Sequence, residues 1–109
     1  MASTPQPIKA AVGASATTLY TAFVAAASRA MLVSLDFVNT TTADITLDCW
    51  VSDASAGPAL YYFADDVVVP AKGTVSWRGM ITLDGSGDLI RAQASATGVD
   101  ANGTVVENA

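Results

Sequence analysis

Few residues in this chain have side chains that could carry out catalysis. The sequence contains no histidine, one cysteine (Cys49), five basic residues and ten acidic residues. Without histidine, the Ser–His and Cys–His pairs of nucleophilic catalysis cannot form, and a zinc site lacks common ligands. A lysine base is possible in principle, but no pattern singles out Lys9 or Lys72. We therefore expect a protein that is not an enzyme.

Two groups of carboxylates could in principle bind a cation. Asp65 and Asp66 are adjacent, and residues 84–88 (DGSGD) place oxygen ligands at alternate positions with glycines that allow a tight path. Neighbouring residues of a strand point to opposite faces, which favours a solvated pair at Asp65 and Asp66. Residues 84–88 lack the EF-hand spacing and its distal Glu, which favours a β-turn. We predict no metal and no cofactor.

Aromatic and basic side chains are better candidates for contact with another molecule. The apolar alternation over residues 45–51 places Trp50 on the outer face of its strand, and either Tyr61 or Tyr62 must also point outward. Trp, Tyr and Arg are favoured anchors at interfaces. Trp50, Tyr61 and Arg78 are therefore candidate subunit contacts. Alternatively, Trp50 packs under a loop or inside a second sheet, and a sugar-binding platform of Trp and Tyr is a third possibility.

Alternating apolar residues predict that short β-strands position these side chains. The predicted strands cover residues 17–22, 30–38, 45–52, 60–63, 74–82, 89–95 and 99–106. Turn signals separate them at the spacing typical of a sandwich or barrel, and the alanine-rich residues 22–30 predict a turn or a single helical turn. The fold class is therefore all-β: an antiparallel two-sheet β-sandwich, jelly-roll-like, in which strands 30–38 and 45–52 form a hairpin.

The N-terminal residues differ in composition from the rest of the chain. Residues 1–15 are small and polar and include Pro5 and Pro7, which is typical of an extended arm without a core of its own. We predict that this arm, residues 1–15, precedes a β-sandwich domain at residues 16–109. A neighbouring subunit would hold the arm, with Pro5, Pro7 and Ile8 as candidate contacts.

The composition indicates a protein that works through its surface. Hydrophobic residues make up 51% of the chain, charged residues 14%, and the mean hydropathy is +0.41. A small domain cannot bury all of that apolar area, and exposed apolar surface usually marks a contact with another chain. The net charge of -5 argues against binding to nucleic acid or to an anionic membrane surface. The single Cys49 cannot form an internal disulfide and is expected in the core.

Five segments resemble small virion proteins of tailed bacteriophages. They are residues 19–21 (LYT), 33–40 (VSLDFVNT), 46–51 (TLDCWV), 69–74 (VPAKGT) and 87–92 (GDLIRA), and together they span residues 17–96. These segments are strands and turns, so their order carries the resemblance and no functional residue can be carried over. One departure stands at residues 23–28, where that family places a Pro-x-Gly-Lys turn.

The resemblance implies a β-sandwich structural subunit of a virion. The function that we expect is capsid decoration (a cement protein) on the outside of the head, with the major capsid protein or other virion proteins as partners. A homo-oligomer, by analogy a trimer, is the expected unit. The alternatives are a neck or tail adaptor, a fibre-base component and, from another class, a carbohydrate-binding module.

Overall fold

The computed structural model describes residues 3–22, 29–53, 59–83, 85 and 87–108, which form β-strands joined by turns. The strands are β1 (Ser3–Val12), β2 (Thr17–Thr21), β3 (Arg29–Asn39), β4 (Ile45–Asp53), β5 (Ala59–Val69), β6 (Thr74–Leu83), β7 (Leu89–Ala94) and β8 (Val99–Asn108). No helix with the length and hydropathy of a membrane crossing occurs in these ranges. The departure at residues 23–28 lies outside them.

The strands form two antiparallel four-stranded sheets. Sheet I has the order β1-β8-β3-β6, and sheet II has the order β2-β7-β4-β5. The first strand therefore lies beside the last, and most successive strands alternate between the sheets. The predicted all-β sandwich of two antiparallel sheets is confirmed.

The predicted hairpin between residues 30–38 and 45–52 is wrong. β3 pairs with β6 and β8 in sheet I, whereas β4 pairs with β5 and β7 in sheet II. The polar residues 40–44 therefore connect the two sheets rather than two neighbouring strands. The alternation of apolar residues predicts which face of each strand is buried. It does not distinguish two strands that pair side by side from two strands that face each other across the core.

The core lies between the two sheets. Inward-facing residues of β3, such as Leu35 and Phe37, and of β4, such as Leu47 and Cys49, are buried, and all four belong to one hydrophobic cluster. The predicted core position of Cys49 is confirmed, because its side chain has no exposed surface and burial raises the pKa of its thiol to about 12. The neutral thiol therefore packs as a small apolar group.

The segment predicted as an N-terminal arm is a strand of this sandwich in the described residues. β1 pairs with β8 over its whole length, from Ser3 opposite Asn108 to Val12 opposite Val99. The side chains of Ile8 and Val12 are each 1% exposed. The expectation that this segment lacks a core of its own is therefore wrong for Ile8 and Val12, because alternate residues of an edge strand still face the other sheet.

Connections cluster at one end of the sandwich, which we call the turn end (residues 13–16, 40–44, 70–73 and 95–98). The buried Asn39 side chain organises it: its Nδ2 donates to the carbonyls of Ala43 and Val69 (2.7 and 3.0 Å), and its Oδ1 accepts from the backbone N–H of Thr41 (2.9 Å). The N–H of Thr40 donates to the carbonyl of Gly98 (2.9 Å). These bonds tie the connection at residues 40–44 to the end of β5 and to the connection at residues 95–98.

Candidate interaction surface

The sandwich has two lateral sides, each made of one edge strand from each sheet. β1 and β2 flank a recess of about 330 Å³ on one side. β5 and β6 flank a cleft of about 300 Å³ on the other side. We call these the β1/β2 side and the β5/β6 side. Edge strands expose unpaired backbone groups, so the side chains on the two sides decide what each can bind.

Large apolar side chains are exposed on the β5/β6 side. Tyr61 is 58% exposed and Met80 is 75% exposed, and Leu60, Tyr62 and Val68 are exposed as well. Behind them the rings of Phe63 and Trp77 lie 5.3 Å apart and close the gap between the two edge strands. The predicted exposure of Tyr61 therefore agrees with its position in the structure. Several large apolar side chains exposed along one side of a small domain indicate a contact site.

Trp50 is not available for contact, although its direction was predicted correctly. It lies outside the inward-facing cluster, opposite Tyr62 on β5 and Arg91 on β7. Its side chain is only 6% exposed, and its ring lies 5.3 Å from that of Tyr62. A subunit contact through Trp50 is therefore wrong, because neighbouring side chains on the outer face cover the indole. A sugar-binding platform would likewise lack this ring.

Three carboxylates meet at the middle of β5. The oxygens of Asp48, Asp65 and Asp66 lie within 4.8 Å of one another. The prediction that Asp65 and Asp66 face opposite ways is wrong, because β5 is bulged at this point and Asp66 has a left-handed φ of 50°. The backbone N–H of Asp66 donates to Asp48 Oδ1 (2.7 Å), which draws Asp48 into the cluster. Alternation could not have predicted the bulge, so the sequence did not associate Asp48 with this pair.

The cluster carries negative charge that no described side chain balances. The charge of Asp66 raises the pKa of the Asp65 carboxyl, with smaller contributions from desolvation and from Asp48. No described basic side chain forms an ion pair with these three residues. The β5/β6 side therefore combines an apolar surface with a local concentration of negative charge.

The other proposed cation loop, residues 84–88, lies partly outside the described residues. In the described part, the backbone N–H of Asp88 donates to the carbonyl of Gly85 (3.1 Å), which is the hydrogen bond of a four-residue β-turn. The Asp88 side chain is buried and accepts from the Gly85 N–H (3.3 Å). The turn interpretation is confirmed for these residues.

Three of the candidate contact residues share the outer face of sheet I. Pro5 and Pro7 are exposed on β1. A row of paired residues runs from Pro7 through Thr104 and Ser34 to Arg78 on β6. Since strands lie about 4.8 Å apart, Pro7 and Arg78 mark the two edges of this face. Ile8 points into the core, and its prediction as a contact is therefore wrong.

Arg78 forms an ion pair across two strands. Its Nη1 donates to Asp36 Oδ1 (2.8 Å). Hydrogen bonds from Arg78 and Ser76 hold the pKa of the Asp36 carboxyl below its usual value. The guanidinium is exposed, so the pair contributes little to stability. Arg78 is accessible to another molecule, but its charge is already balanced by Asp36.

The two sides differ in their capacity to accept another strand. Pro5 and Pro7 are two residues apart on β1, so their backbone nitrogens face the same edge. A proline nitrogen donates no hydrogen bond, and within sheets proline is tolerated where that edge faces solvent. β5 and β6 contain no proline. The edge of β1 is therefore protected, whereas the β5/β6 side retains its donors.

No family model matches this chain, and no curated protein sequence matches it. Solved structures do share its fold. The chain is similar to a protein in the structure of infectious bursal disease virus Gx strain (TM-score 0.63, 14% identity, 95% of this chain and 32% of that one). It is also similar to a pentameric capsid protein from metagenomic phage sequences (TM-score 0.51, 16% identity, 93% of this chain and 61% of that one).

A third similarity comes from outside viruses. It is to a subunit of Bacillus endospore appendages, described as disulfide-linked pili, with a TM-score of 0.57, 10% identity, and coverage of 99% of this chain and 88% of that one. The chain thus spans about a third of the bursal disease virus chain but most of the pilus subunit. At these identities the similarities establish the β-sandwich fold alone.

Proposed function

We propose that this chain is a structural protein of a virion, and specifically a capsid decoration (cement) protein of a tailed bacteriophage. The observation that carries the proposal is the exposed apolar surface of the β5/β6 side, where Tyr61, Tyr62 and Met80 are each more than half exposed. Copies would sit on the head exterior where capsid proteins meet and bury this surface there. The buried area would oppose expansion of the shell by internal pressure.

The fold similarities support this proposal over an enzymatic role. Two of the similar structures are named as viral or phage capsid material, and the composition lacks the usual general base. The proposed partners are the major capsid protein and further copies of this chain, with a trimer as the proposed unit. Of the six predicted contact residues, Pro5, Pro7, Tyr61 and Arg78 are accessible for this role.

A neck, tail or fibre-base component is the second candidate. The observation in its favour is the similarity to the pilus subunit, in which 88% of that chain is covered. A fibre of the disulfide-linked kind is disfavoured, because the single cysteine of this sequence, Cys49, is fully buried. Copy number separates the two candidates: hundreds of copies per purified particle favour the capsid, and a dozen or fewer favour the neck or tail.

The surface itself is tested with a double substitution, Tyr61→Ser with Met80→Ser. We expect this variant to fold with normal stability and to lose occupancy on particles that lack the wild-type chain, because the apolar contact area is removed. Occupancy is measured by quantitative mass spectrometry of purified particles. Ala96→Ser, an exposed position at the turn end, serves as the control. Full occupancy by the double variant would contradict the proposal.

A further inference from the structure

The two lateral sides of the sandwich carry complementary features at matching heights. On β1, Lys9 lies three residues before the end at Val12. On β4, Asp48 lies three residues after the start at Ile45. Both strand ends meet the turn end, so Lys9 and the carboxylate cluster lie at the same level, about 10 Å along the strands from that end.

The match continues away from the turn end. Pro7 lies five residues before Val12, and Tyr62 pairs with Trp50, five residues after Ile45. Pro5 lies seven residues before Val12, and Leu60 pairs with Ser52, seven residues after Ile45. The exposed column Lys9, Pro7, Pro5 therefore has a counterpart in the Asp cluster, Tyr62 and Leu60 on the other side.

The charges at these matched levels are opposite and available. Lys9 is exposed and forms no ion pair with a described residue. On its own sheet, Asp100 lies diagonally on β8 because it pairs with Ala11, and Asp36, already paired with Arg78, lies in the row of Lys9 two strands away. The Asp48, Asp65 and Asp66 cluster has no described cation either, and repulsion within it raises the pKa of Asp65. A cation placed against the cluster would relieve that repulsion.

We propose that the β1/β2 side of one copy overlaps the β5/β6 side of the next, so that the outer face of sheet I along β1 packs on the outer face of sheet II along β5. Lys9 then lies against the Asp48, Asp65 and Asp66 cluster, and Pro5 and Pro7 lie against Leu60 and Tyr62. The occupant is a second copy because the complementary column is supplied by this chain itself. Two different surfaces meet, so the contact is heterologous and generates a ring or an open filament. This contact would join copies of the chain on the virion, so its biological role rests on the proposed function.

Charge reversal tests the contact in the purified full-length chain. We expect Lys9→Glu and Asp65→Lys each to weaken self-association by roughly three- to tenfold. Lys9→Glu replaces attraction by repulsion, and Asp65→Lys removes one of the carboxylates and places a cation opposite Lys9. Sedimentation velocity over a concentration series measures this. Arg29→Glu, with the same charge change at an exposed position on the inner strand β3, should leave association unchanged. The losses should shrink at about 500 mM salt.

Mixing the two variants gives the sharper test. In a head-to-tail contact, the intact cluster of the Lys9→Glu chain meets the intact Lys9 of the Asp65→Lys chain. At the next contact the two substituted side chains carry opposite charges, but Asp48 and Asp66 remain beside them. An equimolar mixture should therefore associate more strongly than either variant alone, because one contact in two is the wild-type contact. A mixture that stays dissociated while the wild type assembles overturns the proposal, as does a wild-type chain that stays monomeric at high concentration.

The same experiment separates this inference from the proposed function. A monomeric chain that still occupies virion particles would overturn the head-to-tail contact and leave the virion role intact. A chain that assembles as described but is absent from particles would support the contact and contradict the virion role.

Discussion

The two lateral sides of this sandwich are built from the same kinds of strand but differ in what they bury. On the β1/β2 side, β1 buries Ile8 and Val12 and presents prolines at its free edge. On the β5/β6 side, proline-free strands expose Tyr61, Tyr62 and Met80. The first side closes the fold and the second leaves apolar surface for a partner. Large exposed apolar side chains are thus segregated to the β5/β6 side, opposite the proline-protected edge of β1.

Ile8 and Tyr61 provide the strongest test of this segregation, because the sequence predicts both as contact residues. Ile8→Ala should lower the free energy of unfolding by about 2–5 kcal/mol, since it leaves a cavity between the sheets. Tyr61→Ala should change it by less than about 0.5 kcal/mol, since the side chain is more than half exposed. Urea denaturation of both variants measures the difference.

Equal losses of stability from Ile8→Ala and Tyr61→Ala would contradict the difference between the two sides. If Tyr61→Ala proved as destabilising as Ile8→Ala, the β5/β6 side would be part of the folding core. If Ile8→Ala were neutral, β1 would be a dispensable segment, as the composition of residues 1–15 predicts. Lys9→Ala, on the outer face of the same strand, is the matched control and should be neutral.

A smaller effect is expected where β2 is fastened to sheet I. The Tyr20 hydroxyl donates to the carboxylate of Glu107, and both side chains are buried between the sheets. Tyr20→Phe removes this donor and leaves a buried carboxylate with one partner fewer, at a cost of about 1–3 kcal/mol. The free energy of unfolding, compared with that of the exposed-site control Tyr62→Phe, measures it. An unchanged value would show that this bond does not fasten the β1/β2 side.

The sequence predicted faces better than it predicted neighbours. Alternation over residues 45–51 correctly placed Trp50 on the outer face, and Cys49 lies in the core as predicted, because side-chain direction has a period of two along a regular strand. It assigned β3 and β4 to a hairpin, because alternation does not encode which strand lies alongside. Pairing here depends on contacts between residues far apart in the chain, such as β1 with β8.

The candidate interaction surface also depends on contacts between strands that the sequence pattern does not reveal. Alternation requires one outward ring from Tyr61 and Tyr62, and this is Tyr62, which pairs with the outward Trp50. Tyr61 pairs with the inward Val51 and is exposed because β5 is an edge strand, which local sequence does not reveal. The burial of Trp50 depends on Tyr62 and Arg91 from two other strands, and the joining of Asp48 to Asp65 and Asp66 depends on a bulge. Proline spacing in β1 was a usable signal, since two prolines two residues apart are compatible with an edge strand as well as an arm.

The smallest expected effect is on the pH dependence of stability, and its sign differs between two aspartates. The pKa of Asp65 is raised in the folded protein, chiefly by the charge of Asp66. The unfolded chain therefore releases this proton first, and Asp65 lowers stability at all pH values above its folded pKa. Asp65→Asn should stabilise the protein at pH 7, and the gain should vanish as the pH falls below the usual carboxyl pKa.

Asp36 should behave in the opposite way. Its pKa is lowered, first by hydrogen bonds from Arg78 and Ser76, so it stabilises the folded protein above its unfolded pKa. That contribution is lost as the pH falls through the lower, folded pKa. Asp36→Asn should therefore destabilise at pH 7 and become neutral in acid. Thermal unfolding of both variants from pH 7 to pH 3 measures the two slopes, and slopes of the same sign would contradict an unbalanced cluster on the β5/β6 side.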